Sequence, residues 1–226
     1  MTPVTAGTDR PARSGTTAAR PRRAPAPEDR QRDAERSRRC LLAAALDEFA
    51  AKGFAGARVQ DIARRAGVNK QLISYYFGGK EGLYRELQRS REEAEAGFAG
   101  PGTPIEELAL RYLREGLADP RPIRLMLWRG LDTGADRPPD ETSALEDLTS
   151  MRQRQARGEL ADDLDAGFLR LALMAVVMAP MMMPHMAEKI FGLAPDAPEF
   201  EERYGEQLCL MLRHLGGPGA QPRPSP

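Results

Sequence analysis

The run from Asp61 to Phe77 constrains the fold more than any other stretch of the chain. Ile62 and Ala66 stand four apart, so they share one face of a helix. Gly67 follows, and glycine enters the left-handed region without a Cβ penalty, so the chain turns sharply there. Val68 fills the angle of the turn, and Asn69 carries the short polar side chain that suits a helix start. In the next helix, Leu72 with Tyr76 and Ile73 with Phe77 form an inward stripe. That leaves Lys70, Gln71, Ser74 and Tyr75 outward. Ala63 and Ala66 are small enough for the two helices to cross closely. Two short helices about a glycine turn, the second with a polar and basic outer face, define a helix-turn-helix.

The rest of the chain reads as further helices, so the expected class is all-α. The first helix runs from about Gln31 to Lys52, with Leu42, Ala45, Leu46 and Phe49 on one face and Gly53 as its stop. Val59 to Ala66 and Lys70 to Phe77 are the motif helices, and the Gly78-Gly79 pair ends the second. A longer helix starts near Lys80 and passes Glu95. Gly100-Pro101-Gly102 is a break. Beyond it the patterns predict helices over about Pro104 to Ala118, Pro122 to Leu131, Glu141 to Arg157, Asp162 to Phe191 and Pro198 to Leu215, with Pro180 and Pro184 kinking the fourth of these. The domain reading is a disordered Arg/Pro-rich tail over 1–28, a helix-turn-helix domain over 29–90, a helical effector-binding and dimerisation domain over 91–216, and a disordered tail over 217–226.

The formal net charge is zero, but it is unevenly spread. Residues 1–90 hold 18 Lys/Arg against 10 Asp/Glu, and residues 91–226 hold 15 against 23. A basic half joined to an acidic half suggests that only the first meets a polyanion. Cys40 and Cys209 lie in apolar helical patterns, as small buried hydrophobes of a reducing compartment do. No Cys/His cluster has metal-ligand spacing, and no cofactor is expected. The N-terminus lacks the apolar core of a secretory signal. The longest apolar run, Leu171 to Pro184, is short for a bilayer and holds two prolines. The expectation is a soluble, cytoplasmic protein with no membrane partner.

From Leu41 onward the pattern becomes specific. Leu41-Leu42, Ala44-Ala45, Phe49, Gly53-Phe54, the 61–77 run, Lys80-Glu81 and Leu83 together resemble the DNA-binding domain of the tetracycline-repressor (TetR) family, over about residues 36–90. The resemblance implies a homodimeric regulator of double-stranded DNA that binds a palindromic operator and answers to a small apolar or amphipathic effector. It implies that Gln71 and Tyr75 read base edges, with Ser74 beside them, and that Lys70, Tyr76 and Lys80 hold phosphates. Asn69 either joins them or only caps, and Tyr76 divides between core and phosphate. Two departures stand out. Ala57-Arg58 replaces the pair of Thr usual before the second helix, so Arg58 offers no cap and is free to reach a phosphate, with Gln60 near it. Ser74 stands where the family often has Tyr.

In the acidic half, Met174, Met178, Met181 and His185 are spaced four, three and four. The stripe reads either as an effector pocket, with Tyr112, Met126 and Trp128 contributing, or as core and dimer seam. The resemblance pairs the last two helices between subunits, which implies a seam through Phe168, Met182, Tyr204, Leu208, Met211 and Leu212. A lone His185 reads as a hydrogen-bonded core histidine rather than a ligand. An enzyme is disfavoured, because there is no P-loop, no G-x-S-x-G and no H-E-x-x-H, and only His185 and His214 are available as bases. A third reading, an interaction protein with a degenerate helix-turn-helix, stays open.

Overall fold

A computed structural model describes residues 27–100, 102–131 and 147–216. The expectations for 1–26, 132–146 and 217–226 lie outside the described residues. Everything regular among the described residues is helical, in the order α1 (Pro27–Gly56), α2 (Val59–Ala66), α3 (Gln71–Phe77), α4 (Lys80–Ala96), α5 (Ile105–Ala118), α6 (Arg121–Leu131), α7 (Thr149–Ala156), α8 (Ala166–Met182), α9 (Pro184–Phe191) and α10 (Pro198–Leu215). The all-α class is therefore observed. The first helix begins earlier than its apolar pattern, at Pro27, inside the segment read as tail. Proline suits the opening turn of a helix, where its missing N–H would have no partner.

Two apolar cores organise these helices. The first collects Leu41, Ala45 and Phe49 of α1, Ile62 of α2, Ile73 of α3 and Leu83 and Tyr84 of α4. Phe49, Phe54 and Tyr84 meet edge to face and stacked, with ring centroids 5.2 to 5.8 Å apart, the geometry aromatic quadrupoles favour. The second collects Ala109 and Leu113 of α5, Met151 of α7, Leu169, Leu173 and Val177 of α8 and Leu208 and Leu212 of α10. One α6 residue, Leu125, belongs to the first core although it lies far beyond that core's other members in sequence.

The seam between the halves runs along α1 and α6. Gly53 ends the regular part of α1 with φ 70°, and the Trp128 ring packs where its side chain would be, 3.0 Å from an ideal Cβ. The Trp128 indole donates to the Ala50 carbonyl at 3.1 Å. Arg121 reaches Asp47 at 2.6 Å, and Asp47 also accepts from Arg65 of α2 at 3.3 Å. One carboxylate thus joins α1, α2 and α6.

The long helix expected from Asp162 to Phe191 is two helices. Asp165 caps α8 by accepting from the Phe168 amide at 2.9 Å, so the helix starts at Ala166 and not at Asp162. Pro180 lies buried inside α8, and the break falls at Met183, with Pro184 opening α9 after a bend of 88°. No single helix among the described residues is long and apolar enough to cross a membrane.

Candidate nucleic-acid interface and adjoining cavity

The motif geometry follows from its punctuation. Gly67 takes φ 67°, and the amide of Val68 closes onto the Ala63 carbonyl at 3.1 Å, satisfying a carbonyl that the end of α2 leaves open. The N-cap position of α3 is Lys70, and Asn69 just before it accepts at its Oδ1 from the Gln71 amide at 2.9 Å, closing the turn that opens the helix. The inward stripe of α3 is as expected, with Ile73 buried and Leu72, Tyr76 and Phe77 half-buried against the first core. Lys70, Gln71 and Ser74 are exposed, and Tyr75 is 79% exposed. Its ring touches the Tyr76 ring edge-on at 5.0 Å between centroids and is otherwise open to solvent.

The supporting residues divide. Arg58 is exposed, makes no side-chain cap, and gives its carbonyl to the Asp61 and Ile62 amides instead; Gln60 beside it is exposed too. Asp61 turns to Lys52 and to Arg64, at 3.4 and 2.7 Å. Its partial burial opposes ionisation, but the Lys52 hydrogen bond and the Arg64 charge hold its carboxyl below the usual range. Tyr76 sits between the Tyr75 and Phe77 rings, half in the core. Lys80 lies over the Phe54 ring and donates to the Ala55 carbonyl at 3.3 Å. Its ammonium therefore stands at the joint between the end of α1 and the start of α4. Arg38 pairs with Glu86 and lies over the Phe77 ring, with 42% of its side chain still exposed.

Beside this assembly lies a cavity of about 580 Å³. Its walls come from α1 (Leu46), α4 (Leu87, Phe98 just beyond it), α5 (Leu108, Tyr112), α6 (Ile123, Leu125), α7 (Met151, Arg154) and α8 (Leu173, Met174, Met178). The size and mostly apolar lining are those of a small-molecule site. Tyr112, Met174 and Met178, among the residues assigned to a pocket, border this cavity. Three residues assigned to the pocket do not. Trp128 is taken by Gly53 and Ala50 at the α1–α6 seam. Met181 is buried against Gly116 and the neighbourhood of Ile123. Met126 is half-buried on α6 and is not among the lining residues.

Two residues assigned to the seam, Leu208 and Leu212, are 2% and 1% exposed inside their own chain's second core, so they have no face left for a partner. Tyr204 is half-buried and gives its hydroxyl to the Val176 carbonyl at 2.7 Å, while Met211 packs at the edge of the core. Phe168 and Met182 are exposed, as a seam requires, at 61% and 38%. His185 is exposed on α9 rather than buried. No group of residues able to hold a metal ion occurs among the described residues.

Sequence reasoning missed Arg154 altogether. The helix around it, Thr149–Ala156, is mostly polar and reads as solvated, yet Arg154 is 1% exposed. Only the tertiary packing of α7 against α8 reveals it.

An exposed recognition helix held by a glycine turn, on a helical body with its own cavity, defines a helix-turn-helix transcriptional regulator that binds DNA. Comparison with known proteins agrees. The model for bacterial regulatory proteins of the tetR family matches residues 41–87, and that for the tetracyclin repressor-like C-terminal domain matches 105–203. The transcriptional repressor SCO4008 of Streptomyces coelicolor is 32% identical over 167 residues, 71% of this chain and 86% of the relative. RutR of Escherichia coli K12 is 46% identical over 60 residues, 26% of this chain and 28% of that protein. The chain belongs to the tetR family. Two solved structures share the fold: SCO4942 of Streptomyces coelicolor, with TM-score 0.61 and 24% identity over 77% of this chain and 97% of that one, and NalD of Pseudomonas aeruginosa, with TM-score 0.52 and 19% identity over 83% and 99%. Members of the family bind DNA, dimerise and bind small-molecule ligands.

Proposed function

We propose that the chain is a ligand-responsive repressor that acts as a homodimer on a palindromic operator. The exposed face of α3 carries this reading. Gln71, Ser74 and Tyr75 present an exposed hydrogen-bonding and aromatic edge to solvent, as a major-groove reader must. Lys70, Arg58, Gln60 and the Tyr76 hydroxyl flank that edge as phosphate contacts, and Lys80 marks the N-terminus of α4, whose free amides suit a phosphate. Asn69 acts through the turn it closes onto Gln71. Residues 29–90 form the DNA-binding unit and 91–216 the effector and dimer unit. Such a regulator works in the cytoplasm, where the chromosome is, and carries out no reaction of its own.

The test is selection of bound sites from a random DNA library, followed by affinity against salt concentration. A palindrome bound with a steep salt dependence is expected. Gln71→Ala and Tyr75→Ala should each lose roughly 10- to 100-fold on the selected site, since a good base contact discriminates by about 1–3 kcal/mol. Both should melt like the parent, because neither side chain is buried. Equal affinity of the variants for selected and scrambled DNA would confirm base readout. Unchanged affinity for the selected site would remove α3 from recognition.

For the dimer, Phe168, Leu171 and Met182 on α8 and Leu210 on α10 support the assignment, with 38 to 68% of each exposed. Apolar side chains on two neighbouring helices form the kind of patch that marks an interface. Leu171→Glu should convert the dimer to a folded monomer by sedimentation, and weaken operator binding with it. A variant that stays dimeric would place the seam elsewhere. An effector in the cavity and DNA on α3 then oppose each other by linkage, because the cavity is walled partly by α1 and α4.

A further inference from the structure

The cavity wall carries charge of both signs, and the charges are matched. Four carboxylates and three guanidiniums border it. Glu115 accepts from Arg111 at 3.1 Å and Asp119 from Arg121 at 2.7 Å, and neither of these cations lines the cavity. Asp147 accepts from the Thr149 amide at 2.9 Å. The Thr149 hydroxyl and amide, and then the Arg152 charge, hold the Asp147 carboxyl below the usual range against desolvation. Glu95 accepts from the Tyr112 hydroxyl. Burial and then Glu95 keep the proton on that phenol, while Arg170 and Arg91 favour its loss, so charges of both signs meet there. Arg91 precedes Glu95 by one turn of α4, the spacing at which opposite charges on a helix are neighbours. Arg154 donates to Glu159 at 2.7 Å, and Arg170 has a partner of its own.

A ligand with a full charge would have to leave water for a wall whose opposite charges are already met. A charge buried without a counter-charge is strongly disfavoured. What the wall does offer is a neutral hydrogen-bonding group. Gln88 of α4 lines the cavity, is half-buried and makes no hydrogen bond to any described residue. Its amide donates through nitrogen and accepts through oxygen, so a hydroxyl and a carbonyl both suit it. Ser90 and Ser150 line the cavity too, but both are exposed. Most of the remaining wall is aliphatic or thioether, which holds an apolar body without directional demands.

We propose that the cavity takes an uncharged amphipathic molecule, with a hydroxyl or carbonyl group on the Gln88 amide and an aliphatic body against Leu108, Ile123, Leu173, Met174 and Met178. The assignment rests on the reading of the cavity as the effector site. An anion or a cation of the same shape would have to break one of the wall's existing pairs to find a partner, and a neutral molecule breaks none.

The test is calorimetric titration of the full chain, without DNA and at neutral pH, with 1-octanol, octanoate and octyltrimethylammonium. The alcohol should bind at least roughly tenfold tighter than either ion, since only the ions bring an unmatched charge into the wall. Gln88→Leu keeps the bulk and removes the amide; it should weaken the alcohol several-fold, the scale of one neutral hydrogen bond. Gln88→Lys places an unmatched cation on the wall and should raise octanoate affinity at least roughly tenfold. Met174→Trp fills the apolar part and should abolish alcohol binding in a protein that still melts cooperatively. Failure of the alcohol to bind, equal or tighter binding of either ion, unchanged alcohol affinity in Gln88→Leu, no gain of octanoate in Gln88→Lys, or retained binding in Met174→Trp would each overturn the assignment. Operator affinity of the same preparations separates the two readings. Preference for the alcohol without operator binding sinks the repressor reading alone, and operator binding with preference for an ion sinks this one alone.

Discussion

Gly82→Ala should abolish specific operator binding and lower the melting temperature, although helix propensity predicts the reverse. Gly82 lies in the first turn of α4, where alanine is favoured over glycine by about 1 kcal/mol. Geometry outweighs that gain. A Cβ on Gly82 would stand 1.7 Å from the Phe77 carbonyl oxygen, against roughly 3.3 Å for a close carbon–oxygen approach. The obstacle is backbone, so no rotamer relieves it. The Gly78-Gly79 turn, with φ 72° and 118°, must open, and α3 must move relative to α4. A misplacement of about 1 Å is enough to spoil contacts that depend on hydrogen-bond geometry. The expected loss on a selected operator is 100-fold or more, on the order of two lost base contacts. Gly130→Ala is the control. It lies in the last turn of α6 with nothing within 4 Å of its would-be Cβ, so it should stabilise by a few tenths to about 1 kcal/mol. If Gly82→Ala behaved like Gly130→Ala, the tight α3–α4 joint would not be needed for binding.

The contrast between these two glycines shows what a sequence discloses and what it hides. Positions governed by local rules were legible. Gly67 and Gly53 break helices with positive φ, Asn69 closes the turn before α3, and the period of Leu72, Ile73, Tyr76 and Phe77 sets which face of α3 is bare. Each of these depends on neighbours within a turn or two of chain. The recognition face emerged from that pattern together with the resemblance.

What stayed hidden depends on partners distant in sequence. Leu208 and Leu212 carry the right spacing for a seam, but spacing cannot tell which chain an apolar face will meet, and both pack on their own α5 and α8. Trp128 is an aromatic in an apolar helix, and nothing local shows that it covers a glycine of α1. Arg154 sits in a polar run, and its burial arises because α7 lies against α8 and Glu159 folds back to it. Asp47 likewise gains its role only when α6 brings Arg121 to it.

Leu125→Ala should cost about 2–5 kcal/mol in stability, the usual range for truncating a buried leucine, and should also blunt the response of DNA binding to effector. Leu125 is 4% exposed and occupies a position no other α6 residue shares: it is counted in the core beneath the recognition helices and also lines the cavity. A ligand against one side of that side chain presses on a core whose other members include Leu41, Phe49 and Leu83. Packed interiors respond to such pressure by shifting between arrangements rather than by deforming smoothly. Truncation leaves a gap of a few methyl groups, and a gap absorbs displacement without passing it on. Effector binding measured alone should change little, because Leu108, Ile123, Leu173 and Met174 still enclose the ligand. The quantity expected to fall is the ratio of operator affinities without and with effector, by roughly tenfold, which is a coupling loss of about 1.4 kcal/mol. Asp47→Ala is the comparison. It severs the partly exposed Arg121–Asp47–Arg65 link, at the rim, where ion pairs contribute about 0–1 kcal/mol, and should leave most of the ratio intact. Loss of coupling in Asp47→Ala with retention in Leu125→Ala would move the connection from the apolar core to the charged rim of the α1–α6 seam.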